Sequence, residues 1–86
     1  MKTLIIWANC QGNSIGKMLQ KYYSDIYTVK YYANYEYMHN KLALPDCFKK
    51  CDVFLYQNYS SREDEFCLQN ILNNILPQKS IKITFP

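Results

Sequence analysis

The stretch Thr3-Leu4-Ile5-Ile6-Trp7-Ala8-Asn9-Cys10-Gln11-Gly12-Asn13-Ser14 decides the fold. Residues 3–8 form a continuous apolar run, as expected of a strand buried on both faces of a parallel sheet. Asn9-Cys10-Gln11-Gly12-Asn13 is turn chemistry. From Ser14, Ile15, Met18, Leu19, Tyr22 and Tyr23 recur at spacings of three and four, which predicts an amphipathic helix. Asn13 or Ser14 can cap it by accepting a bond from an unpaired backbone N–H. A strand that runs through a short polar turn into a helix opens a βαβ unit.

The rest of the chain repeats that alternation. Residues 26–32 are β-branched and aromatic and predict a second strand. Tyr37, Met38, Leu42 and Leu44 suggest a short helix in a less regular middle segment, followed by a helical turn from Pro45-Asp46 to Lys50. Residues 52–57 predict a third strand and residues 58–61 the loop after it. Ser60 with Glu63, and Ser61 with Asp64, resemble capping boxes. The helix they open carries Leu68, Ile71, Leu72, Ile75 and Leu76 on one stripe and stops at Pro77. Residues 80–85 predict a fourth strand.

These elements imply an α/β fold, a three-layer arrangement with a four-stranded parallel sheet in the order 2-1-3-4 and helices on its faces. Ligands of such sheets bind beyond the carboxyl ends of the strands, where the strand order reverses. That expectation places a site between strands 1 and 3, where the loops 9–13 and 57–61 meet.

Bulk properties narrow the function classes. The chain has 86 residues, a net charge of +3, 49% hydrophobic and 20% charged residues, which fits one globular domain spanning 1–86. The charge is too small and too scattered for a dedicated nucleic-acid surface. No apolar run approaches the roughly 20 residues that cross a bilayer, and the opening residues do not read as a signal peptide. The expected setting is therefore cytoplasmic, with no membrane insertion. Cys10, Cys47, Cys51 and Cys67 include no Cys-x-x-Cys pair, and His39 is the one histidine. No metal site or disulfide framework is expected, and reduced thiols filling small core spaces are the simpler reading. The nine tyrosines are expected mainly in core and helix–sheet packing. The edge of a four-stranded sheet leaves oligomerisation open.

The candidate site residues are Asn9, Cys10, Gln11, Gly12, Asn13, Ser14, Gln57 and Asn58. A thiol beside a helix N-terminus lies near unpaired N–H groups and the positive end of the helix dipole, a setting that favours thiolate. The same N–H groups can hold a phosphate or an oxyanion. Gly12 permits close backbone approach to a ligand or a positive φ. Gln11, Asn13 and Asn58 can donate amide N–H groups to developing negative charge. The plainer alternatives are that Cys10 fills a tight turn and that Gln57 and Asn58 satisfy their own backbone.

Three landmarks carry a family resemblance: Asn9-Cys10-Gln11 after the first strand, Tyr56-Gln57 at the end of the third, and Thr84-Phe85-Pro86 at the end of the fourth. In this order they resemble the start of WcbI-type polysaccharide biosynthesis proteins. That family is similar to the SGNH hydrolases, binds coenzyme A and is linked to acyl transfer in capsule assembly. The resemblance implies a flavodoxin/SGNH-like fold, with Cys10 in the place of the nucleophile and Gln57 and Asn58 where an oxyanion-stabilising asparagine lies. It implies coenzyme A or acyl-CoA as ligand and a sugar hydroxyl as acceptor. Family members are longer, so the chain corresponds to their N-terminal portion, and the Asp/His pair that SGNH enzymes carry near their C-terminus has no counterpart in it.

A second resemblance is to the small enzyme IIB domains of the sugar phosphotransferase system. These carry a phosphorylated cysteine after strand 1, a design that Cys10–Ser14 also suits. A third reading is a non-catalytic module that binds coenzyme A or a nucleotide.

Overall fold

The computed structural model describes residues 1–39, 42–57 and 68–85. Its elements are β1 (Lys2–Ala8), α1 (Gln11–Tyr23), β2 (Tyr27–Ala33), α2 (Asn34–His39), a 3-10 helix (Asp46–Lys50), β3 (Val53–Gln57), a π-helical turn (Ile71–Ile75) that continues helical residues 68–70, and β4 (Ile81–Phe85). The four strands form one parallel sheet in the order β2-β1-β3-β4. The expected α/β architecture and strand order are therefore those of the molecule. The capping residues Ser60 and Ser61, and the site residue Asn58, lie outside the described residues, as do Cys67 and the side chain of His39.

Alternation along β1 divides the core. Ile5 and Trp7 point to one face, where Phe48, Phe54, Leu68, Ile71 and Leu76 bury against them. Trp7 meets Phe48 edge-on at 5.8 Å and Tyr37 at 5.6 Å between ring centroids, geometries that suit aromatic quadrupoles. Leu4, Ile6 and Ala8 point to the other face, with Val29 and Val53 beside them and Ile15 and Leu19 of α1 packed on top. β1 is central and covered on both sides, which is why its sequence shows no polar alternation.

Helix α1 departs from the sequence expectation in two ways. It begins at Gln11, not Ser14, because Asn9 supplies the cap: its Oδ1 accepts the Gln11 N–H at 3.0 Å. Asn13 and Ser14 are therefore helical residues and not caps. The face turned to the sheet is also only in part the expected one: Ile15 and Leu19 pack on it, but the rest of the stripe does not. Gly12 and Gly16 are the buried positions, whereas Met18, Tyr22 and Tyr23 are 53%, 65% and 46% exposed.

The reason is steric. A Cβ on Gly12 would lie 2.6 Å from the Ala8 Cβ and 2.9 Å from the Tyr31 Cε1. Only glycine lets the first turn of the helix come this close to β1 and β2. Gly12 therefore serves helix–sheet contact, in helical backbone, and not the positive φ read from the sequence.

α1 lies over β1 and β2. The same face of the sheet at its other edge is more open, with Ile81 and Ile83 58% and 47% exposed. At the amino end, Asp52 ties three strands together. Its Oδ2 accepts the Thr3 N–H at 2.7 Å, its own N–H donates to the Thr3 carbonyl, and its carbonyl accepts the Ile81 N–H. Among the described residues no helix is long and apolar enough to cross a membrane.

Cys51 is 2% exposed in the core, as expected of a thiol filling a small space. Burial pushes its pKa up to about 11, so it stays a thiol at neutral pH, and its Sγ donates to the Val53 carbonyl at 3.1 Å.

The two glycines of α1 respond differently to a methyl group. Gly12→Ala meets backbone-fixed atoms, an overpacking that costs about 1–3 kcal/mol and outweighs the helix-propensity gain of up to ~1 kcal/mol. At Gly16 the nearest atoms stand at 3.4 and 3.5 Å, so Gly16→Ala fits and leaves stability unchanged or raises it by up to ~1 kcal/mol. Urea unfolding of the two variants reads the contrast.

Candidate functional site

The turn that joins β1 to α1 is fixed from three sides. Gln57, 6% exposed at the end of β3, accepts the Asn9 N–H on its Oε1 at 2.8 Å. Its Nε2 donates to the Gln11 Oε1 at 3.4 Å. From the other neighbour, the Tyr31 hydroxyl of β2 donates to the Asn9 carbonyl at 2.8 Å. That carbonyl also accepts the Gly12 N–H at 2.9 Å. Asn9 thus bonds β3 through its amide, β2 through its carbonyl, and α1 through both its side chain and its carbonyl.

This network uses amides that the sequence reading assigned to a ligand. The Gln11 N–H is held by the Asn9 side chain, the Gly12 N–H by the Asn9 carbonyl, and the Asn13 N–H by the Cys10 carbonyl at 3.2 Å. The donors that usually make a helix start an anion site already have acceptors here. Cys10 stands in helical conformation, φ −58° and ψ −23°, with no hydrogen bond from its side chain to the cap. Its side chain is exposed and its thiol unoxidised.

Cys10 faces a cleft of about 390 Å³. Asn13 flanks it on the α1 side, and Tyr31, Tyr35, Glu36 and Tyr37 form the opposing wall. The cleft opens over the ends of β1 and β2, on the other side of β1 from the expected meeting of the loops 9–13 and 57–61, of which residues 58–61 lie outside the described residues. On the β3 side, the Gln57 side chain spans to the turn and braces it. Ser14 is exposed one position beyond Asn13 and does not line this cleft.

The wall is preorganised. Tyr31 is held by its bond to Asn9 and by the close approach of Gly12 to its ring. Tyr37 packs on Trp7 and stands edge-on to Tyr32 at 5.9 Å. Burial raises the pKa of the Tyr31 phenol, and neighbouring Tyr35, Cys10 and Glu36 raise it further. Burial likewise raises that of Tyr37, followed by Glu36 and Cys47. Both phenols are therefore neutral across the physiological range.

The sequence reading missed Tyr31, Tyr35, Glu36 and Tyr37 as site residues. Tyrosines at helical and strand spacing look like packing residues, and Tyr32 and Tyr37 do pack in the core. The available signal was position: residues 31–37 span the end of the strand that neighbours β1 and the residues just after it, so they end at the same rim as Cys10. Asn34 was missed too. It is 2% exposed and starts α2, and its Nδ2 has no acceptor among the described residues.

No protein-family model, curated protein or solved structure matches the chain. Among the described residues no group of three or more His, Cys, Asp or Glu is placed to hold a metal ion.

The brace makes a testable demand. Gln57→Ala leaves the Asn9 N–H without its partner, a loss of about 1–3 kcal/mol. Tyr31→Phe removes one hydroxyl donor from a carbonyl that keeps another, a loss of about 1 kcal/mol or less. Denaturant unfolding gives the two values, and amide hydrogen exchange shows faster opening at Asn9 in the Gln57 variant.

Proposed function

We propose that the chain binds an acyl-coenzyme A thioester at the carboxyl rim of the sheet and accepts the acyl group on Cys10, for transfer to an acceptor hydroxyl such as that of a sugar. The observation that carries this reading is the exposed Cys10 thiol on the wall of a cleft at the end of the central strand. A turn fixed by Gln57, Tyr31 and the Asn9 cap supports it, because a nucleophile gains from being held in one place.

In the first step the Cys10 thiolate attacks the thioester carbonyl. The tetrahedral intermediate collapses with cleavage of the carbonyl–sulfur bond, and coenzyme A leaves as a thiolate that takes up a proton. In the second step the acceptor oxygen attacks the Cys10 thioester, its proton passes to a base, and the Cys10 thiolate is released.

The occupied amides favour acyl transfer over a phosphocysteine. A phosphoryl group after strand 1 needs several backbone donors, and those of Gln11, Gly12 and Asn13 are engaged. A binding module without chemistry differs from both in leaving Cys10 unmodified.

Incubation of the folded chain with acetyl-CoA tests the reading. The expected product carries one acetyl group on the Cys10 peptide, is released by neutral hydroxylamine, and is absent in Cys10→Ala. Acetylation that is no faster at Cys10 in the folded chain than in the urea-unfolded chain overturns it.

A further inference from the structure

Three features of the cleft point to the charge of its occupant. First, Glu36 carries the sole formal charge among the described lining residues, none of which is lysine or arginine. Second, Glu36 is exposed and has no ion pair among the described residues. Third, the wall around it is tyrosine: Tyr31 and Tyr37 are fixed by packing and hydrogen bonding, and Tyr35 is 42% exposed.

We infer that the cleft between Cys10 and α2 is a binding site for an organic cation, an ammonium group held by the Glu36 carboxylate and the rings of Tyr31, Tyr35 and Tyr37. The electron-rich faces of aromatic rings attract cations within about 6 Å, and quaternary ammonium groups suit such walls because they are weakly hydrated. A carboxylate at the same wall adds a direct charge attraction in a partly desolvated space. An anion gains nothing comparable, since the first amides of α1 already have acceptors. In the acyl-transfer reading of the same cleft, the ammonium group belongs to the acceptor molecule. The cation site itself is a matter of binding and does not require Cys10 to react.

Choline and its neutral isostere 3,3-dimethylbutan-1-ol separate charge from shape. Each is titrated into the Cys10→Ala chain, which cannot be acylated, and the amide shifts of Tyr31, Tyr35 and Glu36 are followed by NMR. Choline is expected to shift these amides and to bind about tenfold more tightly than the isostere. Glu36→Gln, at an exposed position, is expected to weaken choline about five- to tenfold with unchanged thermal unfolding. Equal binding of the two isosteres overturns the inference, as does the absence of choline-induced shifts up to about 100 mM. Tighter binding of inorganic phosphate or of N-acetylglucosamine at the same amides also overturns it. Failure of acetylation at Cys10 alongside choline binding removes the acyl-transfer reading and leaves the cation site standing.

Discussion

The contact between Gly12 and the sheet is the constraint on which the rim depends. With Ala8 and Tyr31 nearly touching the space where a Cβ would be, α1 starts closer to β1 than any other residue permits. That proximity lets Asn9 serve as strand end and helix cap together, one residue before Cys10. It also fixes the Tyr31 ring, whose hydroxyl returns to Asn9. A helix starting farther out would need a longer turn, and both the cap and the tyrosine bond would be lost.

Around this contact the two neighbours of β1 play unequal parts. β3 contributes Gln57, buried and bonded to the turn, so that neighbour supplies a brace. β2 contributes Tyr31 and leads at once into α2, so that side stays open and forms the cleft. The asymmetry follows from side-chain chemistry. A glutamine end-group satisfies one donor and one acceptor over a short reach. A run of tyrosines leaves ring surface exposed beside whatever it packs on.

The strands were legible because burial on both faces leaves a plain mark: residues 3–8 and 53–56 are almost wholly apolar, and both became strands. Leu68 and Ile71 of the expected stripe also buried as their spacing indicated, whereas Leu76 buries from the extended residue that ends the helical turn. α1 was less legible. Three polar residues, Asn9, Asn13 and Ser14, each qualify as a cap, and only the packing of Gly12 selects the first. Its buried face was in part misjudged because glycine has no hydrophobic signature, so Met18 and Tyr22 drew the stripe away from Gly12 and Gly16. Cys10 as a rim residue was readable from the strand–turn–helix pattern. Glu36 was not, since its place beside Cys10 arises from the pairing of Ala8 with Ala33, which brings two distant turns to one end of the sheet.

The central claim is that the Cys10 turn and the tyrosine-lined cleft form one ligand site. The most direct measurement is the rate of Cys10 alkylation by iodoacetamide, mapped by mass spectrometry, with and without desulfo-coenzyme A, which fills an acyl-CoA site but cannot react. A shared site predicts that millimolar desulfo-coenzyme A slows modification of Cys10 several-fold, by about the factor 1 + [L]/Kd, while Cys47 reacts at its original rate. An unchanged rate at Cys10, or equal slowing at both cysteines, would contradict the claim.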